Sequence, residues 1–240
     1  NMATLLLKKN GITPDYVCGL SLGEYSALSA AGVFDPETAI QVVRERGLAM
    51  EKAADGVESA MMAILGLERE PLLDICVGCD GYVSIANYNC PGQLVIAGEK
   101  KAVEEAGQKA LDHGARRAVP LNTSGPFHTK LLKDASTRLH EVFKDITFHE
   151  MNIPVIFNCT GKELENCSVQ DMLEKQVMSP VYFEDSIRTM INNGVDTIIE
   201  IGPGKVLSGF VRKIDRKIKT YQVEDMASLQ KCVEAFNETK

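Results

Sequence analysis

Hydrophobic positions along the chain follow two alternating rhythms. Residues 2–9 carry the spacing of an amphipathic helix, closed by the C-cap pair Asn10-Gly11, and Thr13-Pro14-Asp15 turns the chain into a short apolar run, Tyr16-Val-Cys18. Helical spacing resumes directly after Gly19-Leu-Ser-Leu-Gly23 and stops at Gly32. Asp35-Pro36-Glu37 predicts the next helix, with Asp35 as N-cap and Pro36 in the first turn. Its apolar face is read through Ala39, Ile40, Val43 and Leu48, with Arg44 and Arg46 directed differently.

From Ser59 the rhythm changes. Ala60–Leu65 reads as a strand and Pro71–Cys76 as a short helix. Tyr82–Asn87 and Gln93–Ala97 read as two strands joined by a turn through Asn89-Cys-Pro-Gly92. Lys100–Leu111 is a helix closed at Gly114, and Ala115–Leu121 is a last strand. The order β-α-β-β-α-β is the ferredoxin-like pattern, which predicts a small domain over 59–121 inserted into a larger one formed by 1–58 and 122–240. In the larger part, helices are predicted over Lys130–Phe143, Val169–Val177, Phe183–Asn193 and Lys205–Ile214, and strands over Pro154–Phe157 and Val195–Ile201. Such alternation implies an α/β protein with a mostly parallel sheet covered by helices on both faces.

Composition narrows the class. The chain has 240 residues, 45% hydrophobic and 25% charged, an ordinary globular balance. A net charge of -7 provides no basic field to attract phosphates, which argues against nucleic acid as a partner. No apolar run reaches the roughly 18 residues of a membrane span, and no signal peptide is visible. Seven scattered cysteines, an odd number, fit the reduced thiols of a cytoplasmic enzyme. Cys76-x-x-Cys79 has no second pair nearby, so no metal site is expected.

The candidate chemistry starts at Gly19-Leu-Ser-Leu-Gly23. A G-x-S-x-G run between a strand and a helix is a nucleophile elbow, with Ser21 held out on a tight turn at a helix N-terminus. The bland alternative is a small-residue turn. A serine nucleophile needs a base within hydrogen-bond reach. Of the four histidines, His113 sits at a helix end, His140 within a helix beside exposed positions, and His149 after a polar loop. His128 lies in Asn122-Thr-Ser-Gly-Pro-Phe-His-Thr129, a loop leaving a strand and entering a helix, where side chains project into clefts. By elimination His128 is the base, and no Asp or Glu stands out to orient it. Arg46, taken alone, reads as a solvated arginine on an amphipathic helix.

The run Gly19–Leu28, Arg46 in Arg44-Glu-Arg-Gly-Leu-Ala-Met50, Asn89-Cys-Pro-Gly-Gln93, Gly125-Pro-Phe-His128 and Glu200-Ile-Gly-Pro-Gly-Lys205 occur in order. Together they resemble the bacterial malonyl-CoA:acyl carrier protein transacylases of fatty acid synthesis. The resemblance implies an α/β-hydrolase-like domain carrying a ferredoxin-like insert. It implies Ser21 as the acylated nucleophile, His128 as its partner, the Leu22 N–H as an oxyanion-hole donor and Arg46 as a clamp for the malonyl carboxylate. It also points to Asn89 as a substrate-binding residue and to Phe127 as a ring that leaves no space for a 2-methyl branch. In this family main-chain carbonyls orient the histidine, and Tyr182 is placed near one of them. Malonyl-CoA and acyl carrier protein are the implied partners, with no metal or redox cofactor. Because carrier proteins of this type are acidic, a basic dock is expected. Two runs offer one, Lys205 with Arg212, Lys213, Arg216, Lys217 and Lys219, and Arg116 with Arg117, although either also reads as a solvated charge run. The family opens with a strand and a Gly-Gln-Gly-Ser-Gln-like turn whose glutamine completes the oxyanion hole. That segment has no counterpart here, and the N-terminal part is expected to be missing. The rival readings are an acyltransferase for another acyl-CoA, as in polyketide synthesis, a serine hydrolase, and a carrier-protein-binding module without catalysis.

Overall fold

The computed structural model describes residues 1–237. Local signals decide the first half. Helix α1 spans Met2–Lys9, strand β1 Val17–Cys18, helix α2 Leu22–Ala30 and helix α3 Pro36–Ala54. The Asp35 side chain accepts from the Glu37 and Thr38 N–H groups, each at 2.9 Å, so α3 begins where a short acceptor meets a proline at the first turn. Its inward face is Ala39, Val42, Arg46, Ala49 and Met50, whereas Ile40 and Leu48 are exposed. The expected apolar stripe through Ile40 and Leu48 is therefore corrected. Arg46 shares the buried face because residues 39, 42, 46 and 49 recur at the helical three-to-four spacing.

Residues 59–121 form a four-stranded antiparallel sheet in the order β3-β4-β2-β5, with β2 at Ser59–Leu65, β3 at Val83–Cys90, β4 at Gln93–Glu99 and β5 at Arg117–Leu121. Helices α4 (Arg69–Val77) and α5 (Lys100–Asp112) cover one face through a core of Ile64, Leu72, Ile85, Ile96 and Val103. The other face presents Met61, Ala86, Val95 and Ala97 toward Phe127. The turn between β3 and β4 is tighter than expected. Asn89 and Cys90 belong to the strand and only Pro91-Gly92 turns, with Gly92 at φ 66° in the left-handed region that glycine tolerates.

The remaining elements are α6 (Lys133–Phe143), β6 (Val155–Ile156), α7 (Val169–Gln176), α8 (Phe183–Asn192), β7 (Thr197–Ile201), α9 (Val206–Ile214), β8 (Lys219–Val223) and α10 (Met226–Asn237). A single 3₁₀ turn at Lys130–Leu132 precedes α6, where one continuous helix was expected. The pair β8 and α10 lies beyond the predicted elements. Strand β1 pairs with β6, and β7 with β8, both parallel. The expected mostly parallel sheet thus takes the form of two separate two-stranded pairs among the described residues. One reason is local, since the elbow at Gly19 ends β1 after Cys18. Helices α2, α3, α6 and α7 enclose a core built on Tyr25, Leu28, Val42, Leu139, Phe143 and Leu173. The site lies where this core meets the end of β1.

Leu139 is fully buried in α6 between α3 and α7. Leu139→Ala should lower stability by about 2–5 kcal/mol, the usual cost of emptying such a position. A shifted denaturant midpoint at unchanged slope checks it.

Candidate active site

The elbow is a strained turn locked by side chains from elsewhere in the chain. Ser21 sits at φ 54° and ψ −102°, one of three described non-glycine residues with positive φ. Such a conformation costs on the order of 1–3 kcal/mol and persists only where the surroundings dictate it. The Ser21 N–H donates to Asn158 Oδ1 at 2.7 Å, and Gln176 Nε2 donates to the Ser21 carbonyl at 2.9 Å. Asn158 Nδ2 also donates to the Gly19 carbonyl at 2.6 Å. A Cβ at Gly19 would run into the Gly23 backbone, so glycine is required there. At Gly23 a Cβ would meet nothing within 4 Å, so only the first glycine of the elbow is sterically required.

The serine hydroxyl has two partners. His128 Nε2 lies 2.7 Å from Ser21 Oγ, and His128 Nδ1 lies 2.9 Å from the Gln176 carbonyl. Since a carbonyl only accepts, Nδ1 carries the proton and Nε2 is left to accept from Ser21. The carbonyl at hydrogen-bond distance from the ring is that of Gln176, the Ser179 backbone is a further contact, and the Tyr182 ring stacks on Tyr88. His128 has a φ of 61° and is buried, and burial followed by the charge of Arg46 lowers its pKa to about 4. The imidazole is neutral near pH 7, the state a general base needs.

Arg46 is the second partner. Its Nη2 donates to Ser21 Oγ at 2.8 Å, while Nε and Nη2 reach Gln176 Oε1 at 3.2 and 3.1 Å. The guanidinium lies 5.3 Å from the centroid of the Tyr25 ring. It is only 6% exposed, and no carboxylate forms an ion pair with it among the described residues. A buried guanidinium without a carboxylate is costly unless an anion is supplied. A cavity of about 560 Å³ opens beside it, lined by Ser21, Arg46, Met50 and Phe127 among others. The Leu22 N–H belongs to the first turn of α2, where amides lack intrahelical acceptors and the helix dipole favours negative charge.

Ser21, His128, Arg46, Leu22 and Phe127 are thus brought together. Asn89 is not: it lies in β3, is buried, and does not line this cavity. His113 binds the Lys109 carbonyl, His140 pairs with Glu174, and both are exposed. Gln176 and Asn158 were missed by sequence reasoning. Asn158 left one signal, a polar amide directly after the buried run Val155-Ile-Phe157, while Gln176 at the last turn of α7 left none. A second cavity of about 610 Å³ is lined by Arg116, Arg212, Lys213 and Arg216 with Pro91 and Ile218, so the two basic runs meet on one surface.

A serine at a helix N-terminus, a neutral imidazole held by a carbonyl and a buried guanidinium define the class, an acyl-transferring enzyme for an acidic acyl group. The acyl transferase domain family matches residues 2–239. The malonyl CoA-acyl carrier protein transacylase of Bacillus subtilis is 45% identical over 235 residues, covering 96% of this chain and 74% of that protein. A solved malonyl CoA-acyl carrier protein transacylase from Clostridium perfringens superimposes with a TM-score of 0.94 at 41% identity, over 99% of this chain and 76% of that one. A malonyl-transacylase solved in complex with its type II PKS acyl-carrier protein gives 0.93 at 37% identity, over 97% and 77% of the two chains. The chain belongs to the acyl transferase domain family and, within it, to the malonyl CoA-acyl carrier protein transacylases.

The histidine environment sets a pH dependence. His128 binds a proton in the unfolded chain at its ordinary pKa of 6.5 but resists protonation in the fold until about pH 4. Neutral base should therefore persist through pH 6.5, and kcat/KM for serine acylation should fall only as pH approaches about 4. The same depression makes folding stability drop as pH falls from 6.5 toward 4, because the unfolded state takes up the proton first. Rapid-quench acylation across pH checks the first effect, and an acid limb centred at 6.5 would contradict it.

Proposed function

We propose that the chain transfers the malonyl group of malonyl-CoA to the phosphopantetheine thiol of acyl carrier protein, for fatty acid biosynthesis, through a Ser21 acyl-enzyme. His128 Nε2 takes the hydroxyl proton as Ser21 Oγ attacks the thioester carbonyl. The oxyanion that forms faces the N-terminus of α2, where the Leu22 N–H donates. Collapse breaks the C–S bond, the proton passes from His128 to the coenzyme A sulfur, and the malonyl ester remains on Ser21. The carrier thiol then gives its proton to His128, attacks the ester carbonyl and leaves with the malonyl group as Ser21 recovers its proton. The thioester supplies the leaving group, so no metal or redox cofactor is required. Free thiols at all seven cysteines fit a cytoplasmic setting.

The observation that carries this reading is Arg46, a buried guanidinium beside the nucleophile with no carboxylate of its own. The terminal carboxylate of malonate supplies the missing anion through a two-pronged charge-assisted contact, for which the present bond from Nη2 to Ser21 Oγ stands in. Phe127, half-buried at the cavity wall, fits a ring that excludes a 2-methyl branch. For the architecture, the order β3-β4-β2-β5 with both helices on one face supports a ferredoxin-like domain over 59–121. The segments 1–58 and 122–240 around it then form the α/β-hydrolase-like catalytic part, with the elbow at the end of β1.

The test compares malonyl-CoA with acetyl-CoA. Removing one partner of a buried ion pair costs roughly 3–5 kcal/mol, so Arg46→Ala should lose about 10²–10⁴-fold in kcat/KM for malonyl-CoA. Acetyl-CoA, which has no carboxylate to clamp, should lose far less or gain. Equal losses for both thioesters would make Arg46 structural and remove the support for a dicarboxylic acyl group.

The basic cavity of Arg116, Arg212, Lys213 and Arg216 is the proposed dock for the acidic carrier protein. Arg216→Glu should slow transfer from the acyl-enzyme to the carrier roughly 3–10-fold relative to serine acylation, with the gap closing as salt rises. Loss confined to acylation by malonyl-CoA would assign the cavity to the phosphates of coenzyme A instead.

A further inference from the structure

Glu24 is a carboxyl the mechanism does not use. It lies in the first turn of α2, three residues after Ser21, and is 0% exposed. Its Oε2 accepts the Asn158 backbone N–H at 2.6 Å, while its Oε1 has no hydrogen-bond partner. The spacing from Ser21 is that of a capping box, in which an acidic third residue reaches back to the N-cap N–H. Here Asn158 is interposed. Its side chain takes the Ser21 N–H and grips the Gly19 carbonyl, and Glu24 takes the N–H of Asn158 itself.

We propose that Glu24 is a positioning residue for acyl transfer, fixing Asn158 so that the Asn158 amide holds the Ser21 backbone in its left-handed turn. The inference rests on the acyl-enzyme reading above. Loss of the Glu24 contact frees the peptide of Asn158 to shift, and the two elbow bonds shift with it. Ser21 Oγ then leaves the line between His128 Nε2 and the acyl carbonyl, while Arg46, Phe127 and the cavity keep their places.

The groups facing Glu24 are Arg46 on α3, Gln176 on α7, Cys18 on β1, Tyr25 on its own helix and Cys159 beside Asn158. Of these only Arg46 carries charge at neutral pH. Burial outweighs Arg46 and the hydrogen bonds, and raises the Glu24 pKa to about 8. At pH 7 the carboxyl is largely neutral, and glutamine matches it in shape, charge and ability to accept from Asn158.

The experiment follows malonylation of the full-length protein by intact mass and rapid quench, for wild type, Glu24→Ala, Glu24→Gln, Asn158→Ala and the double alanine variant. Misplacing a nucleophile by about an ångström costs as much as 10²-fold, so Glu24→Ala should acylate roughly 10–100-fold more slowly at saturating malonyl-CoA, with KM changed less than threefold. Glu24→Gln should recover most of that loss, as a neutral acceptor suffices. If Glu24 acts through Asn158, the double variant should be no slower than Asn158→Ala alone, because the two losses share one path. A Glu24→Ala variant acylating at the wild-type rate, a Glu24→Gln variant as slow as alanine, or a double variant slowed by the product of both factors would each overturn the proposal. Should Glu24→Ala fail to fold, the glutamine and Asn158 variants still decide it through the rate at saturation against KM. Absence of any malonyl adduct on the wild type would instead overturn the acyl-enzyme reading itself, a distinct outcome.

Discussion

The site depends on keeping one non-glycine residue in a backbone conformation it would leave if free. Ser21 must stand at φ 54° for its hydroxyl to project from the turn, and the chain fixes both of its peptide groups with side chains distant in sequence. Asn158 holds the N–H side and Gln176 the carbonyl side. These contacts come from segments at the end of β6 and the end of α7, so the native elbow depends on both being packed beside β1. Local sequence makes the turn permissible through Gly19. Tertiary contacts make it obligatory.

Gln176 ties the three groups of the proposed mechanism to one point. Its Nε2 serves the Ser21 carbonyl, its Oε1 receives the Arg46 guanidinium, and its main-chain carbonyl orients His128. The proposed nucleophile, clamp and base are therefore held through one residue. The last turn of α7 leaves that carbonyl without an intrahelical partner, since helix C-termini have free acceptors. That helix-end acceptor, shared only with a long turn bond from the Ser179 N–H at 3.4 Å, does the work that a carboxylate does in a three-residue charge arrangement.

Strong local signals made most of the fold legible. Asp35-Pro36, the glycine stops and the period-two runs of residues 59–121 located their elements within a few positions. Ser21 and His128 were legible because an elbow and a strand-to-helix loop are local patterns. The inward direction of Arg46 was not, since Ile40 and Leu48 made the opposite face look apolar and only packing against Tyr25 and Gln176 decides the matter. Asn158 and Gln176 act through backbone atoms and amide geometry across more than a hundred residues, for which no periodicity exists. The resemblance placed Asn89 at the substrate, whereas β3 runs three residues past Asn87, to Cys90, and takes Asn89 into the strand.

The missing acid in the triad follows from electrostatics at Arg46. A carboxylate orienting His128 would lie beside a buried guanidinium and bind it, since opposite charges attract strongly where water is excluded. The clamp would then be neutralised before substrate arrived, and the base would be raised toward protonation near neutral pH. A carbonyl orients the ring without either effect. Glu24, the acid that acts electrostatically on Arg46 from the same core, is kept largely protonated near pH 7 by burial and so leaves the guanidinium charge available. That one uncompensated charge also helps hold the His128 pKa down at about 4. In the proposed mechanism the feature that selects an acidic acyl group and the feature that keeps the base neutral are then the same buried cation, and any change that pairs Arg46 internally should weaken both.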